Sequence, residues 1–304
     1  MKTYVKWLES LRIQMAIFAS LLVISSFVLA NKAIDGYVLL ITFIVALGTM
    51  NTMLTNDYFD RNHDKLKGKT FASENEDTFV FVTVILWLVT AMVSFMILYH
   101  SIFQGLILIL CCILGILYSF TRHFSMLSAF FVALASALIS QFPTEKSFLQ
   151  DKIPVVLFSC TFFFVLAREI VKDVEDKDID KIKNNKGNVY KKTLPVIMNK
   201  NTALIIAGCI LSSGFICSMF LIPFTGKFYV IWVPVFIFSI ISFIFYPSKY
   251  AIGAKLLDQG ILVILFAILF PKISHSLDFI TLFFNESLHW LDRVVYVFNQ
   301  SIHF

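Results

Sequence analysis

Nine residues, Asn56-Asp57-Tyr58-Phe59-Asp60-Arg61-Asn62-His63-Asp64, directly follow a long apolar run and include three aspartates. On a helix, Asn56, Asp60 and Asp64 recur every fourth residue and share one face. A second acidic stretch, Asp173-Val174-Glu175-Asp176-Lys177-Asp178-Ile179-Asp180, closes another apolar run, and there Asp173, Asp176 and Asp180 share a face at i, i+3, i+7. Such rows of carboxylates beside hydrocarbon are unfavourable unless cations occupy them. Magnesium suits them, because it takes a few carboxylates and fills its remaining positions with water and phosphate oxygens. Arg168 and Lys172 precede the second cluster on its helix, and Lys67 and Lys69 follow the first. Metal ions and fixed cations at one site imply a polyanionic substrate, and a diphosphate meets that demand.

The elements that must present these clusters are membrane helices. The chain has 304 residues, 58% of them hydrophobic, and a mean hydropathy of +0.81, which excludes a soluble domain of this size. Apolar runs predict nine spans, near 14–30, 37–55, 79–98, 102–120, 124–139, 154–171, 203–223, 229–245 and 252–270. The first is read as a retained span, since it lacks a clear small-x-small cleavage site. The fifth is short, and Ala129, Ala133 and Ala137 form a small-residue stripe that lets a neighbouring helix approach. The fold class is therefore all-α and polytopic, with a transmembrane domain over 1–272. Residues 273–304 follow, and Leu277, Ile280, Phe284, Leu288, Leu291 and Val295 give them the spacing of an amphipathic surface helix.

Lys and Arg fall nineteen to six on alternate sides of these spans. The excess places the N-terminus and both acidic clusters on the cytoplasmic side of a prokaryotic inner membrane. Spans 2 and 6 run in the same direction, so their clusters reach one membrane face and can meet across one cavity. The net charge of +5 is spread among short loops, which sets orientation and gives no nucleic-acid surface. The five cysteines lie in apolar runs without a CxxC pair, so neither a zinc site nor a disulfide framework is expected. No obligatory protein partner is evident. His63, at i+7 on the Asn56 face, reads as a solvated histidine in preference to a phosphate contact or proton shuttle, and Arg12 as either a topology anchor or a ligand for an anionic acceptor.

The two stretches match NDxxDxxxD and DxxDxxxD in full, and through them the chain resembles the UbiA superfamily of intramembrane prenyltransferases. Tyr118-Ser119-Phe120-Thr121-Arg122 is similar to that family's YxxxK element with Arg in place of Lys, and Lys192-Thr193-Leu194-Pro195 also fits. Leu66-Lys67-Gly68-Lys69-Thr70-Phe71 departs from the arginine-bearing segment many members carry after the first motif, leaving Lys67 or Lys69 as substitutes. Arg168 through Asp176 resembles the branch that transfers geranylgeranyl groups to a glycerophosphate lipid.

The resemblance implies a nine-helix bundle and a reaction between a prenyl diphosphate and a lipophilic acceptor, either an aromatic quinone precursor or a glycerophosphate lipid. Two magnesium ions are expected, one held by Asn56, Asp60 and Asp64 and one by Asp173, Asp176 and Asp180. Arg12, Lys67, Lys69, Arg122, Arg168 and Lys172 are the expected substrate-binding residues, and Asp60, Asp64, Asp176, Asp180 and Tyr118 the catalytic ones. A cyclase that uses the substrate's own double bond as acceptor is one rival, and a non-catalytic lipid-binding or transport protein another. The latter predicts ionisable residues near mid-span, yet the spans are nearly free of charge.

Overall fold

The apolar runs fold as helices because a backbone in hydrocarbon must satisfy its own hydrogen bonds. The computed structural model describes residues 3–66, 70–121, 127–144, 151–182 and 191–221. Ten α-helices occur among them: α1 Thr3–Leu11, α2 Ile13–Leu29, α3 Gly36–Leu66, α4 Phe71–Glu74, α5 Glu76–His100, α6 Ile102–Thr121, α7 Leu127–Leu138, α8 Lys152–Asp180, α9 Leu194–Ile197 and α10 Lys200–Met219. Among the described residues six helical segments are long and apolar enough to cross a membrane: Glu9–Leu29, Gly36–Lys65, Glu76–His100, Ile102–Thr121, Lys152–Asp178 and Lys200–Met219. The protein is an integral membrane protein. The expected eighth and ninth spans and the amphipathic tail lie outside the described residues.

Two of these helices do more than span. α3 runs 31 residues and α8 runs 29, lengths of about 45 Å against a hydrocarbon core of about 30 Å. The surplus carries each acidic cluster out of the apolar layer on an unbroken helix, so the fourfold spacing read from the sequence becomes a real face. α8 packs against α7 and α10, while α3 packs against α2, α5 and α6. Trp87 donates its indole N–H to Thr55 Oγ1 at 2.9 Å, which ties α5 to α3 just before the first cluster.

The short fifth run is α7, extended by a 3₁₀ turn over Ile139–Gln141. Ala129, Ala133 and Ala137 are all buried, as a close-packing stripe requires. At the end away from the clusters, Gln104 donates to the Phe142 carbonyl at 2.6 Å and Gln141 to the Pro154 carbonyl at 2.6 Å. Tyr37 donates to Gln104 Oε1 at 2.7 Å. Gln104 thereby pairs the carbonyl that follows the 3₁₀ turn, and Gln141 ties that turn to the first turn of α8. The outer face of α5 presents Phe81, Leu88, Met92 and Phe95, all exposed, as expected of a surface that faces lipid.

Gly105 lets α6 approach the end of α5. A Cβ there would lie 2.4 Å from the Leu98 Cα, a backbone contact that no side-chain rotation relieves. Gly105→Ala is expected to destabilise the bundle by about 1–3 kcal/mol, read as a lower unfolding temperature in detergent. Gly208→Ala, whose Cβ would meet nothing within 4 Å, is the control and should match or exceed wild type.

Candidate active site

α3 and α8 deliver their clusters to each other. Asn56, Asp60 and His63 on α3 are buried to 2% exposure or less, and Asp180 on α8 to 1%. His63 Nε2 stands 3.1 Å from Asp180 Oδ1, a direct bridge between the two clusters. This corrects the expectation of a solvated histidine: a ring one turn beyond Asp60 faces inward with it, and only the partner helix could reveal the carboxylate it meets. Asp173 is also buried, whereas Asp64 and Asp176 are half-buried at the rim.

A third element closes this arrangement. Lys191, in the stretch leading to α9, places Nζ 2.9 Å from Asp60 Oδ1 and 3.0 Å from Oδ2. Its backbone N–H donates to the Asp180 carbonyl at 3.2 Å, and Thr193 Oγ1 donates to Asp180 Oδ2 at 3.4 Å. Asn56 Nδ2 reaches Asp60 Oδ2 at 3.5 Å. Sequence reasoning missed Lys191 and gave Thr193 no role. The available signal was the stretch Lys192-Thr193-Leu194-Pro195, but Lys192 itself points outward and is exposed.

Beside the clusters lies a cavity of about 160 Å³ between α2, α3, α6, α7, α8 and α10. Arg12, Tyr118, Arg168, Glu169 and Lys172 line it toward the cluster end, and Met15, Leu22, Val132, Leu157 and Phe164 are among its apolar walls. Arg12 sits between α1 and α2 with φ 46° and ψ 54°, a left-handed conformation that non-glycine residues adopt at some cost. That break turns its guanidinium toward α3, where it meets Asp57 Oδ1 at 3.0 Å. Arg168 and Lys172 both pair with Glu169, the latter at 3.8 Å. Three cations and Glu169 line that end of the cavity, with Asp57 paired to Arg12 just behind it. Lys67, Lys69 and Arg122 lie outside the described residues.

Among the described residues no three acidic, histidine or cysteine side chains converge closely enough to hold a metal in the present arrangement. The donor set nevertheless fits magnesium in kind. Asp60 and Asp180 offer buried carboxylate oxygens on facing helices, and each already lies against a cationic or imidazole nitrogen. Carboxylates buried this deeply require positive charge between them.

The model of one protein family, described as the UbiA prenyltransferase family, matches residues 16–255. The chain belongs to the UbiA prenyltransferase family. A curated relative, digeranylgeranylglyceryl phosphate synthase of Methanosphaera stadtmanae, is 29% identical over 169 residues, 54% of this chain and 57% of its own. The chain thus spans little more than half the length of the curated relative it matches. Among solved structures, a UbiA homologue from Aeropyrum pernix K1 superposes with a TM-score of 0.64 at 12% identity, over 86% of this chain and 99% of its own. A structure described as a digeranylgeranylglyceryl phosphate synthase in membranes gives 0.63 at 22% identity, over 88% and 98%. A UbiA homologue from Archaeoglobus fulgidus, bound to GPP and Mg2+, gives 0.57 at 16% identity, over 86% and 99%. At these identities the likeness establishes the UbiA fold.

Proposed function

We propose that this chain is a magnesium-dependent prenyltransferase that moves a polyprenyl group from its diphosphate to an anionic lipid acceptor, a glycerophosphate lipid being the acceptor class. The observation that carries this reading is the cavity: it adjoins the facing acid clusters, its walls are apolar, and Arg12, Arg168 and Lys172 line it. An apolar cavity with a cationic end suits a molecule with a hydrocarbon tail and a phosphate head. The name of the Methanosphaera relative and the GPP and Mg2+ bound to the Archaeoglobus homologue support the same reading.

Asn56, Asp60, Asp64, Asp173, Asp176 and Asp180 are assigned to hold the metal. Magnesium there supplies the positive charge that makes the diphosphate a competent leaving group. Lys67, Lys69 and Arg122 are assigned to the diphosphate, offsetting the charge that builds as the carbon–oxygen bond breaks and its electron pair leaves with the phosphate. An acceptor hydroxyl oxygen then bonds to the allylic carbon and gives up its proton to the departing diphosphate. Tyr118, buried at the cavity wall, is assigned to orient that hydroxyl. The apolar walls exclude water, which would otherwise capture the cation.

Arg168→Ala tests the acceptor assignment. The acceptor KM should rise about 10- to 100-fold, the loss of one charge-assisted contact, with the KM for prenyl diphosphate within about twofold of wild type. A KM for the glycerophosphate acceptor that Arg168→Ala leaves unchanged would remove the anionic-acceptor assignment. The proposed cytoplasmic orientation rests on the nineteen-to-six distribution of Lys and Arg. A cysteine introduced by Lys192→Cys should react with an impermeant thiol reagent in inside-out vesicles and stay protected in right-side-out ones.

A further inference from the structure

We propose that Lys191 is the internal counter-cation of Asp60, holding that carboxylate until magnesium takes its place, and thereby sets the magnesium concentration at which the site loads. This rests on the assignment of Asp60 as a metal ligand. Lys191 is 1% exposed, and its ammonium contacts both oxygens of Asp60 at 2.9 and 3.0 Å. A lysine buried this completely is rare and is stable only when paired. Both Asp60 oxygens are engaged by the lysine, so the carboxylate must loosen that pair before it can ligate a metal. Two cations cannot share it at full strength.

The lysine does not reach in from a distant surface loop. Its own backbone N–H is bonded to the Asp180 carbonyl, and Thr193, two residues on, is bonded to the Asp180 carboxylate. Segment 191–193 is therefore anchored on the second cluster while its lysine closes the first. Release of Lys191 is coupled by this geometry to both halves of the site, and magnesium binding is a competition whose apparent affinity falls by the stability of the closed form. A second lysine–aspartate pair, Lys200 to Asp178 at 3.2 Å, involves exposed groups and has no such role.

The test titrates magnesium chloride against the purified full chain at a fixed concentration of inorganic diphosphate, following the unfolding temperature. Wild type should show a saturable rise absent with diphosphate alone. Lys191→Met should start lower and reach half-saturation at about tenfold less magnesium, while Lys200→Met should track wild type. A Lys191→Met midpoint equal to that of wild type overturns the counter-cation role and leaves the metal assignment intact. Absence of a magnesium-dependent rise in both wild type and Lys191→Met overturns the metal assignment and this proposal with it.

A second measurement needs no variant. The Lys191 amine of wild type, followed by mass spectrometry after exposure to an acylating reagent, should be protected without magnesium and labelled several-fold faster with magnesium and diphosphate. Equal labelling in the two conditions also overturns the proposal.

Discussion

Asp60→Asn is expected to lower turnover of a prenyl diphosphate by about 100-fold or more, equivalent to about 2.7 kcal/mol of transition-state stabilisation. Asp60 is 2% exposed on the inner face of α3, one turn beyond Asn56, where it faces the Asp180 side of the site through Lys191 and His63. The amide preserves volume and leaves the helix face filled, so the loss reports the charge rather than a cavity. The substitution also deprives buried Lys191 of its partner, and some loss of stability accompanies it. An unfolding temperature measured alongside separates the two effects, because a folded variant with wild-type turnover would remove Asp60 from the chemistry. Asp60→Ala should lose at least as much.

The second large effect belongs to Asp180. Asp180→Asn should also cost about 100-fold or more in turnover, since this carboxylate is as buried as Asp60 and receives His63 and Thr193 from two other elements. If the clusters form one site, the double variant should be no more than about tenfold slower than the slower single variant. Independent sites would multiply the two losses, to about 10,000-fold. The double variant thus distinguishes one bipartite site from two, using turnover at saturating magnesium with the unfolding temperature as control.

Much of this site could be read from residue order because it is helical. A fourfold spacing of Asn56, Asp60 and Asp64 needs only an uninterrupted helix to become a face, and α3 is uninterrupted. The common orientation of spans 2 and 6 followed from counting, and the bridge from His63 to Asp180 joins their ends. The alanine stripe of α7 was legible for the same reason: residues four apart on one helix share an environment.

What escaped was contact across long separations. Lys191 lies 131 residues from Asp60 and is one of several lysines in a cation-rich stretch. Which of them turns inward depends on the path the chain takes past Asp180, and no periodicity encodes that path. The same reasoning applies to Arg12. Its position at the start of a span was consistent with a topology anchor, and only the left-handed break between α1 and α2 turns it toward Asp57 and the cavity. Glu169 was overlooked because acids inside a charged stretch read as solvated, although this one is buried between Arg168 and Lys172.

In the proposed reaction the paired clusters and the cation-lined cavity jointly transfer a prenyl group to an anionic lipid. Its most direct test incubates the purified protein with magnesium, geranylgeranyl diphosphate and a panel of acceptors comprising a glycerophosphate lipid, an aromatic acid and a neutral isoprenoid alcohol. Product masses are then measured. The glycerophosphate lipid should gain one prenyl unit, with inorganic diphosphate released in equal amount and no reaction in the presence of chelator. A cyclised hydrocarbon formed without any acceptor, or prenylation confined to the neutral alcohol, would contradict the account.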